Sequence, residues 1–120
     1  MRPDSPMQVF DIDQIDGRRI EEPGFQRILK EIFHGRHMTA HLGIIFPGQA
    51  SSCHQHDSSE EFVYVVSGVG EVTVGKETSP LKRNVMVYGP PGIPHQYRNT
   101  GSEDLVLFVV YSPPTDLPSR

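Results

Sequence analysis

An all-β fold, with two sheets closing as a sandwich or barrel, is what this sequence predicts. Two observations carry that expectation. The chain has 11 glycines and 11 prolines among its 120 residues, well above average usage yet below the level of a disordered segment. From Met38 onward, apolar residues recur with period two and are interrupted every few residues by turn-forming clusters.

The elements follow in order. Met1 to Phe10 is polar apart from Met7-Gln8-Val9-Phe10 and reads as a loose arm or an edge strand. Asp16-Gly17 and Pro23-Gly24 mark turns. Phe25, Ile28, Leu29, Ile32 and Phe33 follow a helical spacing, and the same residues also suit a strand with an irregular face. Met38, Ala40, Leu42, Ile44 and Phe46 alternate with Thr39, His41, Gly43 and Ile45, which predicts a strand whose first set faces the core. Further strands are expected at Ser52–His56, Glu61–Ser67, Gly70–Val74, Val85–Tyr88, His95–Arg98 and Leu105–Tyr111, with a proline-bearing tail leaving the sheet from Ser112. One domain over residues 1–120 fits this length, with an arm at 1–24, a barrel at about 38–112 and a tail at 113–120.

Composition excludes several functions. With 11 Lys+Arg against 15 Asp+Glu and no basic run, the chain lacks the cationic face that nucleic-acid binding needs. Its longest apolar run is Leu105 to Tyr111, far short of the roughly 20 residues of a membrane helix. Met1 to Phe10 has no apolar h-region, so no secretory signal is expected, and Cys53 is the only cysteine, so a cytoplasmic protein without an internal disulfide is expected.

The six histidines carry the functional argument. His54 and His56 are two apart, so on a strand both imidazoles leave one face. Asp57 to Glu60 is long enough to reverse the chain, and Glu61 opens the returning strand opposite them. His95 follows Pro90-Pro91-Gly92-Ile93-Pro94, a turn that fixes its approach. Three imidazoles and one carboxylate suit one divalent first-row metal: iron, manganese, nickel, zinc or copper. Glu60 is the understudy for Glu61.

Written out, Gly48, His54, His56, Glu61 and Gly68, followed by Pro90 to His95 and Asn99, resemble the two motifs of the cupin superfamily. Asn84 stands where that family usually has Gly, and Asn also tolerates positive φ. The resemblance spans about Met38 to Tyr111. It implies a double-stranded β-helix, or jelly-roll barrel, with His54, His56, Glu61 and His95 as metal ligands. It also favours a strand over Phe25–Phe33 and a homodimer.

Strand parity sorts the neighbours. Val63, Val65, Tyr97, Leu107 and Val109 are expected to line a fairly dry pocket, leaving Phe62, Tyr64 and Val66 on an outer face that also needs cover. Tyr97 is the one side chain that parity nominates for catalysis, with ordinary core packing as its alternative. Cys53 points away from the ligands and is expected to be a small buried or interface residue. His34 and His37 read as solvated, and His41 as exposed or at an interface. The expected activity is oxygenase-like chemistry on a small anionic or enolisable molecule. The alternatives are sugar isomerase, lyase or cyclase chemistry, a binding or sensing role without turnover, and a purely structural metal.

Overall fold

The computed structural model describes residues 6–53 and 55–119. It is a two-sheet β structure. Nine strands follow a single 3-10 turn at Ile12–Gln14: β1 (Arg18–Ile20), β2 (Arg27–His34), β3 (Thr39–Ile45), β4 (Glu60–Ser67), β5 (Val69–Val74), β6 (Glu77–Lys82), β7 (Met86–Gly89), β8 (His95–Asn99) and β9 (Leu105–Ser112). Six of them form a sheet in the order β1-β2-β3-β9-β4-β7, and three form a second sheet in the order β6-β5-β8. Every pairing is antiparallel.

The core lies between the sheets. The larger sheet contributes Ile45, Val63, Val65, Leu105, Leu107, Val109 and Tyr111, and the smaller one Val72, Leu81 and Tyr97. Strand β9 runs between β3 and β4, so its inward set of Leu105, Leu107, Val109 and Tyr111 is buried from end to end. Positive-φ residues make two of the turns between strands. Gly68 at φ 90° reverses the chain from β4 to β5, and a Cβ there would lie 2.4 Å from the Asp104 carbonyl oxygen. Asn84, at φ 74°, makes the turn into β7 without a glycine.

Four local expectations need correction. Where a strand over Ser52–His56 was expected, the described residues Ser52, Cys53, Gln55 and His56 belong to no named strand: Ala50 forms an isolated bridge with Arg98, and the His56 carbonyl accepts from Gly92 N–H. Strand β6 was not expected, because its sequence is polar. It is an edge strand, where Pro80 costs no ladder bond and only Leu81 need be buried. In β3 the inner face belongs to His41, Gly43 and Ile45, which line a cavity, while Ala40 and Leu42 are buried on the opposite face. Cys53 is exposed, which corrects the buried half of its expected placement, buried or at an interface.

Phe25–Phe33 is a strand over most of its length. The pairing of β2 with β3 slips between Glu31 and Phe33, and this bulge breaks strict alternation and mimics helical spacing. The N-terminal segment crosses the outer face of β2. Phe10 packs its ring 5.9 Å from that of Phe33, and Lys30 Nζ donates to the Ile12 carbonyl. That segment leaves the far side of the same sheet open, where Phe62, Met86 and Tyr88 are exposed. The tail leaves the sheet as expected but folds back: Leu117 packs against the core, and Arg18 donates to the Pro118 and Ser119 carbonyls. Among the described residues, no helix is long and apolar enough to cross a membrane.

Candidate metal centre

Three of the expected ligands meet between the sheets. Glu61 comes from the start of β4, where it pairs with Tyr111 of β9 and Gly89 of β7. His95 opens β8. His56 comes from the irregular segment before β4, tied down where Gly92 N–H donates to the His56 carbonyl at 2.7 Å. One ligand atom from each of His56, Glu61 and His95 lies within 4.8 Å of the others. His54, the fourth expected ligand, lies outside the described residues.

Glu61 and His95 are buried, and His95 Nε2 stands 2.9 Å from Glu61 Oε2. The other ring nitrogen of His95 faces the Ile93 carbonyl at 3.3 Å. A proton held there leaves Nε2 turned toward the centre, the usual way a metal-binding imidazole is oriented from behind. Glu61 is held too. The Tyr97 hydroxyl donates to Oε2 at 2.9 Å, and the Tyr111 hydroxyl hydrogen-bonds the same carboxylate. Gly89 makes room: a Cβ there would sit 3.5 Å from Glu61 Oε2 and 3.7 Å from His95 Nδ1.

Charge follows this geometry. Burial alone would lower the His95 pKa, but the hydrogen bond and charge of Glu61, with the Ile93 carbonyl, outweigh it and hold the value above 6.5. For His56, burial wins with help from His95, against the pull of Glu61, and the value falls below 6.5. Burial and the Glu61 charge push Tyr97 and Tyr111 well above 10. Both phenols are thereby held in their protonated form, and Tyr97 donates its hydroxyl to Glu61. Its replacement by Phe is expected to weaken metal binding by roughly 10–100-fold while the fold persists. Metal titration of the variant checks this, and unchanged affinity would contradict it.

These shifts set a pH dependence. The His95–Glu61 pair stabilises the metal-free fold fully below the unfolded His value, and that stabilisation is lost as pH rises through the higher folded value. Above it His95 is neutral and able to coordinate. Metal affinity measured between about pH 5 and pH 9 should therefore keep rising beyond the ordinary histidine range. A plateau already reached at about pH 6 would contradict this.

Beside the cluster lies a cavity of about 30 Å³ lined by Arg27, Leu29, His41, Ser51 and Glu61 among others, room for about two waters. Tyr97, Leu107 and Val109 line it, whereas Val63 and Val65 are fully buried in the core beside it and do not. Pro118 of the returning tail also borders it.

Tyr111, His41 and Arg27 were not foreseen at this site. Tyr111 ends the inward series of β9, and its ring lies 4.6 Å from His56 and 5.4 Å from His41. Continuing the parity of Leu105, Leu107 and Val109 by one step finds it. His41 is only 4% exposed. It was expected outside because a polar residue opposite an apolar row normally faces water, and the cavity reverses that rule. His34 and His37 are exposed, as expected.

Comparison with known proteins agrees with this architecture. A family model described as Cupin domain matches residues 41–111. An uncharacterized protein of Streptomyces coelicolor is 35% identical over 109 residues, covering 90% of this chain and 98% of the relative. The protein named polyketide synthase CurC of Streptomyces cyaneus is 34% identical over 120 residues, covering 99% of this chain and 75% of the relative. The crystal structure of a putative sugar phosphate isomerase from Acidithiobacillus ferrooxidans superposes with a TM-score of 0.74 at 32% identity, covering 84% of this chain and 70% of that one.

Proposed function

This chain belongs to the cupin family, and from that premise we propose that it is a metal-dependent enzyme acting on a small anionic, enolisable molecule. One observation carries the reading: two imidazoles and a carboxylate, with His95 and Glu61 oriented from behind, converge beside a cavity inside the barrel. The donor set and its spacing fit a divalent first-row ion held by His56, Glu61 and His95, with His54 as the fourth ligand of the proposal.

Such an ion, when bound, supplies Lewis acidity toward an oxygen of the substrate. The remaining work falls to the chain. Tyr97 and Tyr111 hold the Glu61 carboxylate in place. Leu29, Leu107 and Val109 line the cavity with aliphatic surface that excludes water. His41, lining the same cavity, is assigned the proton-carrying role, taking a proton from carbon and returning it. A reversible proton transfer next to a carbonyl suits isomerase, lyase or cyclase chemistry. The names of two relatives, a polyketide synthase and a putative sugar phosphate isomerase, support this direction.

The test is solvent exchange. Metal-loaded protein is incubated in deuterated water with a panel of 2-oxo and 3-oxo acids, and loss of the proton next to the carbonyl is followed by NMR. Metal-dependent exchange that His41→Gln slows by about 10²–10⁴-fold is the expected result. Exchange with no panel member, whatever the metal, would reduce the protein to a binding module. Oxygenase turnover is the second reading, favoured by the aliphatic walls, and oxygen consumption by iron-loaded protein distinguishes it. The proposal includes a homodimer joined through the exposed Phe62, Met86 and Tyr88. Phe62→Glu should then halve the mass seen in solution, and an unchanged mass would remove this face from the interface.

A further inference from the structure

The cavity contains a charge that the metal centre does not explain. Arg27 lies on the inner face of β2 and is only 1% exposed. Its guanidinium donates to the Phe25 carbonyl at 2.8 Å and approaches the Ser52 hydroxyl at 3.4 Å. Both acceptors are neutral. Among the described residues no carboxylate lies within ion-pair distance of it.

A buried guanidinium without a carboxylate is costly, because water is lost and no counter-charge replaces it. The surroundings do little to offset that cost. Burial and the nearby Arg18 both disfavour the charge, and the exposed Glu22 compensates through space. The group stays charged all the same, since arginine does not lose its proton in proteins. Arg27 lines the cavity, and a guanidinium carries its donors in the planar fork that matches a carboxylate. The cavity, at about 30 Å³, has room for a group of a few atoms.

We propose that Arg27 is the anion anchor of the cavity, receiving a carboxylate group of the substrate while another part of that molecule faces His56, Glu61 and His95. The inference rests on the reading of the site as an enzyme centre and names what its substrate carries. Tyr111 stands between the two ends: it lines the cavity with Arg27, and its hydroxyl bonds Glu61. The substrate is thus small, with a carboxylate held at one end and its reacting carbon between anchor and metal centre. An uncharged sugar or a purely apolar molecule leaves the guanidinium unpaired and binds poorly.

Malonate is the probe. Its binding is measured by calorimetry, and the side-chain nitrogen resonances of Arg27 are followed by NMR, on both metal-loaded and metal-free protein. The expected result is a malonate-induced shift of the Arg27 resonances and an affinity that falls at least about tenfold in Arg27→Met, with metal content unchanged. Arg27→Lys keeps the charge without the fork and should fall in between. The lysine variant, which keeps a donor and the charge, keeps the test decisive if the methionine variant does not fold. Malonate binding that depends on Arg27 in the metal-free protein supports the anchor even if the metal assignment fails. Malonate affinity unchanged in both variants, or no response of the Arg27 resonances, would overturn it.

Discussion

His56→Ala and His95→Ala are each expected to abolish stoichiometric metal binding while leaving the sheets intact. Each removes one donor from a cluster whose ligand atoms lie within 4.8 Å. The loss should exceed the roughly 10–100-fold typical of outer-shell changes, because an imidazole that bonds the ion directly has no substitute nearby. Glu60 illustrates why. It neighbours Glu61 in sequence but points outward, where the Tyr88 hydroxyl donates to it at 2.7 Å, and it cannot swing in. Elemental analysis of the purified variants, with circular dichroism to confirm the fold, measures the effect. Wild-type metal content in either variant would show that the ion sits elsewhere.

Leu105→Ala is expected to cost about 2–5 kcal/mol, a large share of the roughly 5–15 kcal/mol that holds such a domain together. Leu105 is fully buried at the start of β9, opposite Ile45 of β3. It also reaches the second sheet: its Cδ2 would lie 2.9 Å from a Cβ placed on Gly70 of β5. Truncation opens a cavity between two sheets that cannot both collapse into it. The melting temperature should fall by roughly 10–20 °C. A fall of only about 2 °C would contradict this packing. Metal content measured well below the melting temperature should stay at the wild-type level, which separates this variant from the ligand variants.

Legibility in the sequence followed the physics of each segment. β9 is apolar on both faces, and the inward set that parity assigned to the pocket, with Leu107 and Val109, is the buried one. The expected return of Glu61 against a strand carrying His54 and His56 did not follow, because Glu61 pairs instead with Tyr111 of β9 and Gly89 of β7. Motif spacing chose Glu61 over Glu60, and the burial of the two agrees with that choice. β2 was ambiguous because its bulge shifts the alternation partway along. β3 carries apolar residues on both faces, so hydropathy alone could not say which row pointed inward. The answer came from His41 and Arg27, polar groups placed inside to line a cavity, which pattern rules assign to the surface. β6 was invisible because an edge strand needs only one buried side chain. The folded-back tail depends on Arg18 reaching carbonyls about a hundred residues away, a contact that no local pattern encodes.

The most direct measurement is anomalous scattering from a crystal of the metal-loaded protein, collected at the absorption edge of the bound element. One peak is expected between the two sheets, at about 2.0–2.2 Å from Nε2 of His95, a ring nitrogen of His56 and an oxygen of Glu61. A peak away from these three side chains, or none from protein shown to carry stoichiometric metal, would contradict the metal centre and the enzyme reading built on it.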